Sequence, residues 1–94
     1  MFSVNKIKNG MYNFSGPLTI HQIEDLKNVL EQFLKEKNIT LILEEVTEID
    51  TAAIQLLFSF KKTYEKTNDR LSVRANESVQ EALNILGLRT LTGS

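Results

Sequence analysis

The stretch Ile39-Thr40-Leu41-Ile42-Leu43 does most to narrow the fold. A nearly unbroken apolar and β-branched run reads as a central strand covered on both faces, as in a parallel sheet. Parallel strands need crossover connections, and the flanking sequence offers a helix on each side. Upstream, Thr19 and Gln22 stand at the capping-box spacing, and Leu18 with Ile23 suits the accompanying hydrophobic staple. Ile20, Ile23, Leu26, Leu30, Phe33 and Leu34 then recur at three- and four-residue steps, with Glu24, Lys27, Glu31 and Lys35 on the opposite face. This predicts a helix that fades near Lys37-Asn38. Downstream, a loop over 44–49 leads to a second helix starting at Asp50-Thr51. Its buried side should include Ala53, Ile54, Leu57, Phe58 and Tyr64, with Lys61, Lys62 and Lys66 complementing the dipole in its last turns.

The ends of the chain complete the pattern. Phe2, Val4 and Ile7 stand in a polar stretch, Asn9-Gly10 is a strong hairpin dipeptide, and Met11-Tyr12-Asn13-Phe14 follows as a short strand. Gly16-Pro17 should interrupt any regular ladder. After the second helix, Asn68-Asp69 marks a turn and Leu71, Val73 and Ala75 alternate as a strand. A third helix is capped by Ser78 with Glu81 or, one turn earlier, by Asn76. Its stripe is Val79, Ala82, Leu83 and Leu86, and Gly87-Leu88 reads as a Schellman stop. The expected architecture is one α/β domain over 1–94, with a weakly ordered tail from about 89. An N-terminal hairpin is followed by alternating strands and helices, forming a mixed, mostly parallel sheet with about three main helices.

A chain of 94 residues has room for one core of useful size. Cysteine is absent, which removes disulfides, thiolate metal sites and thiol nucleophiles and suits a reducing compartment. No apolar run approaches the ~20 residues of a membrane-spanning helix, and residues 1–8 lack the signal-peptide pattern. The expectation is a cytoplasmic protein with no direct membrane insertion. Eleven basic and twelve acidic residues leave a net charge of −1, and no basic run extends beyond Lys61-Lys62, so nucleic acid is not an expected partner. The sequence carries no signal of oligomeric state.

Catalytic constellations are scarce. His21 is the only histidine, on the first turn of a helix. No His-Glu-x-x-His, Gly-rich phosphate loop or Gly-x-Ser-x-Gly turn is present. Glu44, Glu45, Glu48 and Asp50 cluster, but without a partner base or a glycine-bearing calcium loop they read as a solvated acidic loop. The expectation is a protein that is not an enzyme, with no cofactor and no metal.

The junction from strand to second helix carries the most specific signal. Leu41-Ile42-Leu43-Glu44-Glu45-Val46-Thr47-Glu48-Ile49-Asp50-Thr51-Ala52-Ala53-Ile54-Gln55-Leu56-Leu57 runs from a buried strand through an acidic segment into a helix opening Asp-Thr-Ala-Ala. Asp50 or Thr51 can cap that helix, a contribution of about 0.5–2 kcal/mol, while Ala52 and Ala53 permit close approach. The segment resembles the STAS domain family, which includes bacterial anti-sigma factor antagonists. The resemblance extends from about Phe14 to Leu88. It includes Gly16-Pro17-Leu18-Thr19-Ile20 at the entrance to the first helix and Ser78-Val79, Ala82-Leu83 and Leu86-Gly87-Leu88 near the end.

The resemblance implies signalling by partner switching, through contact with an anti-sigma factor or a related kinase-like protein. In antagonist members the helix start commonly reads Asp-Ser-Ser-Gly, with the second Ser accepting a phosphate. Asp50 matches the Asp and Thr51 the first Ser, but Ala52 stands at the acceptor position without a hydroxyl. Thr51 is therefore expected as a contact hydroxyl in preference to a phosphoacceptor, since a phosphate of about −2 charge would sit among Glu44, Glu45, Glu48 and Asp50. The same Asp-Thr-Ala spelling is similar to the small STAS subunit of lipid-asymmetry ABC transporters, which implies an alternative partner, the transporter ATPase. Either way the expected binding surface is Asp50, Thr51, Ala52 and Gln55, joined by Thr19 and His21. Thr19 falls where antagonists often carry an acidic residue.

Overall fold

The Asn9-Gly10 turn joins β1 (Ser3–Lys8) to β2 (Met11–Leu18) in an antiparallel hairpin, as the dipeptide predicts. Gly10 adopts φ +78°, and a Cβ there would meet the Asn38 carbonyl oxygen at 3.0 Å, so conformation and space both call for glycine. The computed structural model describes residues 2–67 and 70–85. A short 3-10 turn (Ile20–Gln22) follows β2, then α1 (Ile23–Phe33), β3 (Ile39–Ile49), α2 (Thr51–Thr67), β4 (Leu71–Ala75) and α3 (Glu77–Ile85). Strand and helix order are as the sequence predicts. The Asn68-Asp69 turn, Leu86, the Gly87-Leu88 stop and the 89–94 tail lie outside the described residues.

The strands lie in the order β1-β2-β3-β4, with β2, β3 and β4 parallel and β1 antiparallel at the edge. Two successive crossovers step the same way across the sheet, and right-handed connections then put α1 and α2 on one face. Phe14, Leu18, Leu41, Leu43 and Val73 from that face meet Leu26, Leu30 and Phe33 of α1 in one apolar core. Ala53, Ile54, Leu57, Phe60 and Tyr64 of α2 and Val79 and Leu83 of α3 join the same cluster. The expectation that β3 is covered on both faces fails among the described residues. Ile42 points away from the cluster, and in register it stands between Asn13 and Arg74. It is nevertheless buried.

Three boundaries differ from the sequence reading. Gly16-Pro17 does not end β2. β1 begins opposite Ser15, so among the described residues nothing in β1 pairs with Pro17, an edge-like setting that tolerates proline. The pairing with β3 absorbs the irregularity as shifts between Asn13 and Ser15 and between Gly16 and Pro17, with Gly16 at φ +91°. The predicted loop 44–49 is instead the second half of β3, paired to Ser15, Gly16, Pro17 and Leu18 and carrying Val46 into the core. No simple alternation marks it: Val46 alone is buried between exposed pairs, past the register shift between Asn13 and Ser15. The third helix starts at Glu77 with Asn76 as its cap, accepting from Val79 N–H at 2.9 Å, so the Ser78–Glu81 spacing is not the capping box. Within α2, Phe58 is only half-buried, with Lys62 Nζ 4.9 Å from its ring centre, and Phe60 takes the core position.

At the turn end of the sheet two tyrosines fasten the chain leaving α1. Tyr12 stacks on Phe33 with ring centres 4.2 Å apart and donates to the Glu36 carboxylate. Tyr64 donates to the Glu36 main-chain oxygen at 2.5 Å. Burial, reinforced by the neighbouring Glu36 carboxylate, pushes the Tyr12 phenol up to about 12.

Candidate functional site

Parallel strands joined by helices place the C-terminal ends of β2 and β3 and the starts of α1 and α2 at one edge of the sheet. Asp50 sits at that edge between Ile49 and Thr51, with its N–H donating to Leu18 O at 3.2 Å. One carboxylate oxygen, Oδ1, accepts from Ala53 N–H at 3.0 Å and caps α2. The other, Oδ2, accepts from Ile20 N–H at 2.8 Å, at the start of the 3-10 turn. A single carboxylate therefore serves two helical starts, and each benefits from negative charge at its N-terminus.

This division of labour decides what Thr51 does. With the cap supplied by Asp50, the Thr51 hydroxyl forms no hydrogen bond within the described residues, and its side chain is exposed. Gln55 lies one turn further along the same helix face and is also exposed, while Ala52 is half-buried and Ala53 fully buried. Of the pair of alanines, Ala53 meets the core and Ala52 borders the open rim.

From the other chain segment, the Thr19–Gln22 capping box forms as predicted: Gln22 Oε1 accepts from Thr19 N–H at 3.0 Å. The Thr19 hydroxyl also donates to that oxygen at 2.7 Å and accepts from His21 N–H at 3.4 Å. Its hydroxyl is thus engaged inside the turn, unlike that of Thr51. His21 is exposed. The structure brings the two segments together through the Ile20–Asp50 bond.

Sequence periodicity placed Ile20 on the buried stripe, and this is corrected: Ile20 is 64% exposed. It precedes α1 on the 3-10 turn, one step past the strands on which Leu26, Leu30 and Phe33 pack. The capping-box position of Thr19, which marks Ile20 as the first residue of a terminus, was the available signal. The acidic residues Glu44, Glu45 and Glu48 are exposed along β3, with Glu45 accepting from Asn13 Nδ2 at 3.2 Å. No three His, Asp or Glu side chains among the described residues are grouped to hold a metal ion.

The layering and strand order define an α/β domain of the SpoIIAA-like kind. An anti-sigma factor antagonist from Mycobacterium paratuberculosis superposes with a TM-score of 0.80 at 14% identity, over 99% of this chain and 84% of that one. The anti-sigma factor antagonist SpoIIAA in its unphosphorylated form gives 0.70 at 15% identity, over 97% and 84%. The Bacillus cell fate determinant SpoIIAA in its phosphorylated form gives 0.65 at 14%, over 94% and 85%. At these identities the likeness is one of fold. The chain belongs to the STAS domain family, whose model matches residues 3–92. No curated protein sequence matches it significantly. No helix among the described residues is long and apolar enough to cross a membrane.

Proposed function

We propose that the chain is a non-catalytic protein-interaction module that works by partner switching, in the manner of an anti-sigma factor antagonist. Its partner is an anti-sigma factor or a related kinase-like protein, and its contact surface is the rim formed by Asp50, Thr51, Ala52, Gln55 and His21. Membership of the STAS family and the fold shared with antagonists support this reading. The observation that carries it is the exposed Thr51 hydroxyl on a helix start that Asp50 already caps. A hydroxyl with no structural duty at a rigid edge is free to contact another macromolecule. Thr19 contributes by holding the turn that presents His21.

Within this reading Thr51 is a contact hydroxyl. Helix N-terminal N–H groups favour a phosphate, but the Asp50 carboxylate already occupies that position and exposed Glu48 lies close in sequence. Thr51→Glu should therefore abolish partner capture without unfolding the protein, while Thr51→Ser should retain it. Stoichiometric phosphate on Thr51 in native cells, found by mass spectrometry, would overturn this ordering and make Thr51 a phosphoacceptor.

A further inference from the structure

The edge that presents Thr51 also presents an apolar side chain. Ile20, 64% exposed, is held in place from two sides. Its N–H is bound by Asp50 Oδ2 at 2.8 Å, and the Thr19–Gln22 box closes the turn around it. A single exposed isoleucine is ordinary on a protein surface; the charge distribution gives this one a context. From Ser15 to Leu26, from Glu44 to Ile54 and over the first turn of α3, the sequence contains no Lys or Arg. Those segments instead hold Glu24, Asp25, Glu44, Glu45, Glu48, Asp50 and Glu77. Among the described residues, Lys27 lies a turn into α1 and Arg74 stands in register with Ile42 at mid-strand.

The opposite end of the sheet carries Lys8, Lys35, Lys37, Lys66 and Arg70. Two of its carboxylates are engaged, Glu36 by Tyr12 and Glu65 by Lys61 at 3.0 Å. Among the described residues, a chain of net charge −1 thus has its charges unevenly divided between the two ends of the sheet. Helix dipoles account for the acids in the first turns of α1 and α3, but Glu45 and Glu48 are on a strand.

We propose that Ile20 is the apolar anchor of the partner interface, and that the partner offers an apolar pocket surrounded by Lys or Arg side chains. This rests on the partner-binding reading of the same edge and adds the partner's surface chemistry. A side chain on a backbone already fixed by hydrogen bonds loses little freedom on binding, which is how interface anchors gain affinity. The surrounding negative field steers a basic partner toward it and disfavours an acidic one.

The probe is the protein that co-purifies with the chain from its own cells, identified, expressed and purified, with rates measured by surface plasmon resonance. Ile20→Ser should raise Kd on the order of tenfold or more, mainly through koff, whereas Ile20→Leu should remain within about threefold of the unaltered chain. The double change Glu24→Lys with Glu48→Lys should lower kon on the order of tenfold, as should raising salt from about 50 to about 500 mM. Circular dichroism melting reports the fold of each variant, and Ile20→Leu controls for packing. If Thr51→Glu abolishes binding while Ile20→Ser and the double variant bind like the unaltered chain, the interface reading stands and the anchor and charge assignment falls. If all variants bind alike, or no protein is retained, both fall.

Discussion

Two of the junctions that lead from a parallel strand into a helix use the same device for different ends. At β4–α3, Asn76 accepts from Val79 N–H through Oδ1, and its Nδ2 donates to Glu44 O and Val46 O, both at 3.0 Å. The side chain turns inward and fastens the start of α3 to the part of β3 that extends past β4. At β3–α2, Asp50 turns both oxygens toward helical N–H groups, one local and one from Ile20. An amide is needed where the neighbours include carbonyls, and a carboxylate where all the neighbours are donors. Asn and Asp are near-equals as isolated caps. Here tertiary partners distinguish them, although both junctions leave the next residue, Thr51 or Glu77, exposed.

The comparison can be tested by graded substitutions. The largest loss is expected away from both caps: Leu57→Ala, in the core beneath α2, should lower stability by about 2–5 kcal/mol in denaturant melts. Binding would then fail through the scaffold. Asn76→Asp keeps the acceptor for Val79 but sets a carboxylate against two carbonyl oxygens, and should cost about 2–3 kcal/mol. Asp50→Asn loses one of two accepting oxygens and should cost about 1 kcal/mol. A swap that proves neutral at either position would remove the distinction between the junctions. Thr51→Glu should change stability by no more than about 0.5 kcal/mol, as expected of an exposed position.

Tyr12 gives a control remote from both caps. Its phenol is raised from 10.0 to about 12, so the neutral form is favoured in the folded protein. The associated stability should be complete below pH 10 and should decline as pH rises toward about 12. A titration of unfolding free energy over that window, compared with Tyr12→Phe, checks the sign.

Much of this was legible in the sequence because local rules and tertiary context agree. The Asn9-Gly10 turn, the Thr19–Gln22 box, the Ile39-to-Leu43 run and the Asp50-Thr51 helix start each specify their own geometry. The readings failed where a distant segment supplied the reason. Glu44, Glu45 and Glu48 resemble a loop until β2 is known to pair beside them. Gly16-Pro17 resembles a break until β1 is known to start opposite Ser15. Ile20 fits a helical period, and its exposure follows from where the sheet ends. Of the site, a cap at Asp50 or Thr51 and an outward-facing Thr51 were readable, and the structure gives the cap to Asp50. The bond from Asp50 to Ile20 was not, because it spans thirty residues of chain.

The central claim is that Thr51 belongs to a recognition surface and not to the scaffold. Its most direct test is the dissociation constant of the purified partner complex for the unaltered chain and for Thr51→Glu, with both melting temperatures recorded alongside. The variant should bind at least about tenfold more weakly with no change in melting. Equal affinity, or a loss of binding that tracks a loss of folded protein, would contradict it.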